Sequence, residues 1–132
     1  MKVFLDTNVL AAGFATRGLC SDIIRTVLER HEFVSSLEIL AELKRVLLKK
    51  FRVPAKKAEG ILELVHSSSL ISEPDRDATY PIADSDDIPH LSAAEQAGCD
   101  VFVTGDKELW TLSPLGKMKI ISPRDFWGMI SA

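Results

Sequence analysis

Four acidic side chains scattered along this sequence, Asp6, Glu42, Asp87 and Asp106, fall where a folded chain could collect them in one pocket. Asp6 directly follows the apolar run Val3-Phe4-Leu5, and Asp106 closes the stretch Val101-Phe102-Val103-Thr104-Gly105-Asp106. In an open parallel sheet, ligands bind in the crevice outside the carboxyl ends of the strands, so both acids are aimed there. Asp87 opens a helix that leads into the second of these strands, a place where the helix dipole favours negative charge. Glu42 sits among Leu40, Ala41 and Leu43, near enough to the start of its helix to reach the same crevice.

Taken singly, each acid has an ordinary structural explanation: a strand-end cap, an exposed helix acid, a helix N-cap and a turn residue. Taken together they carry a cost. Two carboxylates about 5 Å apart at an effective dielectric near 20 repel by roughly 3 kcal/mol, and four in one pocket by on the order of 10–20 kcal/mol. Proton uptake or a bound cation must relieve that repulsion. One neighbouring lysine, Lys107, cannot balance four acids. Oxygen donors call for a hard divalent ion, above all Mg²⁺ or Mn²⁺, and no Cys or His cluster makes zinc the preferred metal.

The elements that must position these groups are legible as alternating short apolar runs and longer amphipathic ones, the pattern of βαβ units and a parallel sheet. Strands are expected at Val3-Phe4-Leu5, Phe33-Val34, Leu70-Ile71, Val101-Phe102-Val103 and Ile120-Ile121. Ile23, Ile24, Val27 and Leu28 give residues 20–30 a helical period. Ser35 with Glu38 three residues on is a capping-box pattern, opening a helix through Leu40, Leu43, Leu47 and Phe51. Pro54 fits the first turn of the next helix, which ends near Ser67-Ser68-Ser69. Residues 73–86, with two prolines and five acids, read as a loop. Residues 87–97 form a helix stopped by Gly98, and Ser122-Pro123 starts a terminal helix through Phe126 and Trp127. The expectation is one α/β domain over residues 1–132, a three-layer α/β/α structure with a parallel sheet of about five strands.

Composition bounds the rest. With 132 residues, 46% hydrophobic and 27% charged, the chain can bury a core without disulfides or structural zinc. Its two isolated cysteines, Cys20 and Cys99, form no redox or metal motif and read as packed thiols in a reduced, cytoplasmic protein. No apolar run is long enough to span a membrane, and the N-terminal residues do not read as a secretory signal. The net charge of −3 excludes nucleic-acid binding by bulk charge alone. Its distribution is uneven: residues 44–57 hold seven Lys and Arg and no acid, whereas residues 73–87 hold six acids against Arg76. Within the basic segment, Arg45, Lys49, Arg52 and Lys56 fall on one flank if the helix runs on, and make a candidate track for a phosphate backbone. His90, three residues into its helix, reads as a surface or packing residue. Trp110, Phe126 and Trp127 read as closing the core or a dimer surface.

Asp6-Thr7-Asn8-Val9, Glu42 within Ser35-Ser36-Leu37-Glu38-Ile39-Leu40-Ala41-Glu42-Leu43, Asp87 followed by Leu91 and Ala94, and Val103-Thr104-Gly105-Asp106-Lys107 resemble, in this order, the motifs of the PIN (PilT N-terminus) domain. The resemblance extends over the whole chain, and includes the branch of toxin–antitoxin toxins related to VapC-type ribonucleases. It implies that Asp6, Glu42, Asp87 and Asp106 are catalytic acids that bind Mg²⁺ or Mn²⁺, with Asp84 a further candidate ligand and Asn8 and Thr104 orienting the set. It implies metal-assisted hydrolysis of RNA to 5′-phosphate and 3′-hydroxyl ends, a homodimer, and an antitoxin partner covering the pocket. The rival within the same fold is a non-catalytic module acting through a protein or RNA partner, which would tolerate loss of an acid; all four are present. An aspartyl-phosphate phosphatase would need a second acid where Asn8 stands, and a receiver domain would need an acceptor Asp where Leu70-Ile71 leads into Ser72-Glu73. Asp84-Ser85-Asp86-Asp87 lacks the glycine and terminal glutamate of a calcium-binding EF-hand loop.

Overall fold

The computed structural model describes residues 1–131 and shows five parallel strands in the order β3-β2-β1-β4-β5. They are β1 (Lys2–Leu5), β2 (Glu32–Ser35), β3 (Leu70–Ile71), β4 (Val101–Val103) and β5 (Lys119–Ile121). The central pair is β1 and β4, with Val3, Phe4 and Leu5 in register with Val101, Phe102 and Val103. All six are buried, and the Phe4 and Phe102 rings stack with centroids 5.2 Å apart. A strand covered on both faces has no solvent side, which is why these runs are continuously apolar and do not alternate.

The chain winds outward from β1 through β2 to β3, then returns to β4 on the other side of β1 and continues to β5. Parallel crossovers are right-handed, so the first set of connecting helices covers one face of the sheet and the second set the other. Helices α1 (Thr7–Ala15), α2 (Leu19–Arg30), α3 (Leu37–Lys49) and α4 (Ala55–Ser68) belong to the first set. Helices α5 (Ile88–Gln96) and α6 (Lys107–Trp110) belong to the second, and the terminal α7 (Pro123–Ile130) packs on α2. The strand order reverses between β1 and β4, which places the crevice of the fold at their carboxyl ends.

Two helices lack the expected signal. Helix α1 buries Thr7, Val9, Leu10, Ala11 and Gly13, so it shows no amphipathic period; α6 has only four residues. Helix α3 is capped by Ser36, whose Oγ accepts from the Ile39 amide at 3.1 Å; Ser35, the expected cap, is the last residue of β2. Ile39, Leu43 and Leu47 are the buried stripe of α3, but the helix stops at Lys49 and leaves out Phe51. Pro54 disfavours helical geometry at Val53. Arg52 takes a left-handed φ of 53°, and Val53 turns inward with its amide donating to the Leu47 carbonyl at 2.9 Å. Arg52 and Lys56 therefore do not continue the flank that carries Arg45 and Lys49. Pro54 lies just outside α4 as its N-cap. Asp87 closes a 3-10 turn over Ser85–Asp87 before α5 begins at Ile88. Cys99 is buried, which pushes its thiol up to about 12, as suits a packed and unreactive group.

Helices α1 and α2 meet closely at Gly13, where an added Cβ would collide with Ile24 Cδ1 and lie 2.8 Å from the Cys20 carbonyl oxygen. Gly13→Ala should destabilise the protein by about 1–3 kcal/mol despite its better helix propensity, measured by urea unfolding. Wild-type stability in that variant would mean the two helices are not held at this distance.

Candidate active site

Asp6 extends from the end of β1 as the N-cap of α1 and is 8% exposed. Its Oδ1 accepts from the Thr7 amide at 2.8 Å, and its Oδ2 accepts from Thr104 Oγ1 at 2.7 Å. Thr104, fully buried after β4, is fixed in turn: its carbonyl accepts from Trp110 Nε1 at 2.8 Å, and its Oγ1 accepts from the Asp106 amide at 3.1 Å. Thr104 thus contacts Asp6 directly, and Trp110 braces the strand end. Asp106 caps α6 through its Oδ1, which accepts from the Glu108 amide at 2.9 Å.

The acids from the other side of the crevice arrive on α3 and ahead of α5. Asp84 caps the 3-10 turn by accepting from the Asp86 amide at 2.9 Å. That leaves the Asp87 side chain without a capping bond, free to face the crevice. Asp6, Glu42, Asp84, Asp87 and Asp106 line one cavity of about 450 Å³, together with Asn8, Thr104, Gly105 and Lys50. All four expected acids and the additional Asp84 therefore meet in one place. Asn8 is also there, exposed, and among the described residues its side chain makes no hydrogen bond, so Thr104 and the Thr7 amide are the groups that orient Asp6. The cation lining the cavity is Lys50, at the C-cap of α3, and not Lys107. Arg45 lies on an adjoining groove with Glu42, Asp86 and His90, while Lys49, Arg52 and Lys56 are exposed outside both.

His90 is the residue that sequence reasoning undervalued. It is 2% exposed, and its Nε2 lies 2.9 Å from Glu42 Oε2. Asp6, Glu42 and His90 each present a ligand-type atom within 4.8 Å of one another. The available signal was its place three residues after Asp87, which puts both on one side of α5.

The electrostatics reflect crowding. Burial, reinforced by Asp6, Asp84 and Asp106, pushes the Asp87 carboxyl up to about 7. Burial also raises Asp6, against the hydrogen bond from Thr104. Glu42 is instead lowered, chiefly by its hydrogen bond with His90. Burial pulls His90 down, but Glu42, Asp6 and Asp87 outweigh it and raise it overall. Several hard carboxylate oxygens at one crevice, two of them on groups that hold protons above their ordinary range, suit a small divalent cation. No thiolate lines the cavity, and the imidazole nitrogen beside it, His90 Nε2, is engaged with Glu42.

A doubly wound sheet with acids gathered at its switch point is the frame on which the comparisons identify the family. The family model described as PIN domain matches residues 2–108, and the chain belongs to that family, whose members are typically nucleases. The fold is similar to a chain of the VapBC2 complex from Rickettsia felis, solved bound to a DNA fragment from its promoter. That similarity has a TM-score of 0.66 at 15% identity, covering 92% of this chain and 98% of the other. It is also similar to PAE2754 from Pyrobaculum aerophilum, with a TM-score of 0.68 at 21% identity over 99% and 90% of the two chains. No curated protein sequence matches the chain. Among the described residues, no helix is long and apolar enough to cross a membrane.

The raised Asp87 sets a pH dependence. Without metal, the folded protein keeps this proton to about pH 7, whereas the unfolded chain releases it near 3.8. The folded state therefore binds more protons between these values, and stability falls as pH rises through that window. Asp87→Asn removes the penalty. In metal-free protein it should raise the melting temperature by about 3–6 °C at pH 8 and much less at pH 4. Equal effects at both pH values would show that the Asp87 carboxyl is not raised in the folded protein by burial and its acidic neighbours.

Proposed function

We propose that the chain is a divalent-metal-dependent ribonuclease, the toxin of a toxin–antitoxin pair, with its activity carried by one PIN domain. The observation that carries this reading is the meeting of Asp6, Glu42, Asp84, Asp87 and Asp106 around one cavity, although they come from distant parts of the sequence. Asp6, Glu42, Asp87 and Asp106 would hold the ion, with Asp84 able to join them. When bound, Mg²⁺ or Mn²⁺ supplies Lewis-acid charge that acidifies water and offsets the negative charge growing on a phosphodiester in the transition state. Thr104 and the Thr7 amide hold both oxygens of Asp6, so this ligand needs no reorientation. Lys50 is placed to grip a backbone phosphate at the rim, and Arg45 and Lys49 extend positive charge along α3. Arg52 and Lys56 stay on this reading as outer phosphate contacts, separated from that helix.

The same reading assigns an antitoxin protein as the natural inhibitor, supported by likeness in fold to a chain of a VapBC complex. A homodimer acting on RNA in the cytoplasm completes the proposal.

Incubation with RNA should give Mn²⁺- or Mg²⁺-dependent cleavage that EDTA stops. Asp6→Asn, which keeps the size and polarity of the side chain, should reduce cleavage to background while the circular dichroism spectrum is unchanged. Mn²⁺ at about 100 times its dissociation constant should stabilise the wild type by about 2.7 kcal/mol. Neither cleavage nor a metal-dependent melting shift would leave the non-catalytic module as the better reading. Lys50→Ala should weaken binding of a single-stranded RNA and reduce the salt slope of its affinity by about 0.7. An unchanged slope would remove Lys50 from the phosphate path.

A further inference from the structure

We propose that His90 is the positioning residue for Glu42, holding this carboxylate in the orientation in which it binds the metal; the inference rests on the metal-nuclease reading above. The ligands of the cavity are not equally secured. Both oxygens of Asp6 accept hydrogen bonds, from Thr7 N–H and Thr104 O–H, and Asp106 accepts one from Glu108 N–H. Glu42, with a longer side chain and more rotamers to lose, has its close hydrogen bond from His90 at 2.9 Å, the largest influence lowering its carboxyl, with a smaller contribution from the Thr7 side chain. Repulsion from Asp6 acts on it as well. Without that partner, the favourable course for Glu42 is to swing out toward water, since its side chain is only half-buried.

The bond also ties α3 to α5. Asp87, at the start of α5, and His90, one turn later, belong to the same helix end. Through His90, one rigid element fixes both its own acid and the acid of a neighbouring helix. Nε2–H donating to Glu42 Oε2 occupies one carboxylate oxygen and leaves the other for an ion. This is the arrangement in which an outer hydrogen-bond partner tunes a metal ligand.

Packing alone does not account for a histidine here. His90 Nδ1 is buried with no hydrogen-bond partner. Leucine or methionine would fill much of the same space without stranding a polar atom. The cost of that orphan is explained if Nε2 does something an apolar side chain cannot. The role parallels that of Thr104, which holds Asp6 from β4 as His90 holds Glu42 from α5.

The test is calorimetric titration of Mn²⁺ into the wild type, His90→Leu, His90→Met and His90→Gln, with melting recorded in EDTA for each. His90→Leu should weaken Mn²⁺ affinity by about 10–100-fold without lowering the metal-free melting temperature, and His90→Met serves if the leucine variant does not fold. His90→Gln, which keeps an N–H donor, should recover most of the affinity. A folded apolar variant that binds Mn²⁺ like the wild type would overturn the role of His90 while leaving the nuclease reading intact. A glutamine variant no better than leucine would overturn it equally. Failure of the wild type itself to bind Mn²⁺ would instead remove the metal-nuclease reading, and this inference with it.

Discussion

Mutual repulsion among carboxylates at the carboxyl ends of β1 and β4 is the constraint around which this protein is arranged. A carboxylate pair about 5 Å apart at an effective dielectric near 20 costs roughly 3 kcal/mol, and a chain tolerates several such pairs only if other interactions hold them. The restraint is visible in the hydrogen bonds. Thr104 and the Thr7 amide fix Asp6, the Glu108 amide fixes Asp106, and His90 fixes Glu42. Burial first, and its acidic neighbours second, push Asp87 up to about 7.

The rigid part of the molecule lies directly beneath this charge. Phe4 and Phe102 stack between the two central strands, and their neighbours in both strands are buried. Such a core fixes the relative height of the two strand ends, so the residues following them are delivered to the same level. The apolar stripe Ile39, Leu43 and Leu47 does the corresponding work for α3, docking the helix so that Glu42 lies at the edge of the crevice. The core in this sense sets the geometry of the site. Polar second partners then select the orientation of each side chain within it.

Charge elsewhere is arranged differently from what a continuous basic helix would give. The break after Lys49, caused by Pro54 and the inward turn of Val53, brings Lys50 to the mouth of the cavity and separates Arg52 and Lys56 from α3. On the proposed reading, an anionic substrate finds a lysine in the same cavity as the acids. This gives the proposed phosphodiester reaction a local counter-charge that the overall charge of −3 does not suggest.

Much of this organisation is written locally. Continuous apolar runs specified β1 and β4 because strands buried on both faces need no alternation, and the acids immediately following them were legible as crevice residues. Helix α1 was not, since a helix buried nearly all round has no polar stripe to reveal its period. The cap of α3 moved by one residue because Ser35 and Ser36 are chemically alike, and only strand pairing, which keeps Ser35 in β2, distinguishes them. The parts of the site beyond reach of one-dimensional reading are His90 and Lys50. An isolated histidine and one lysine within a basic run acquire meaning only from what the fold sets against them, and those partners lie 48 residues from His90 and, for Lys50, on separate strands and loops. Residue types and strand-end positions thus determined the kind of site, because they are local properties. Tertiary packing decided which side chains restrain one another, because hydrogen bonds and Coulomb forces depend on distance in space and not on separation along the chain.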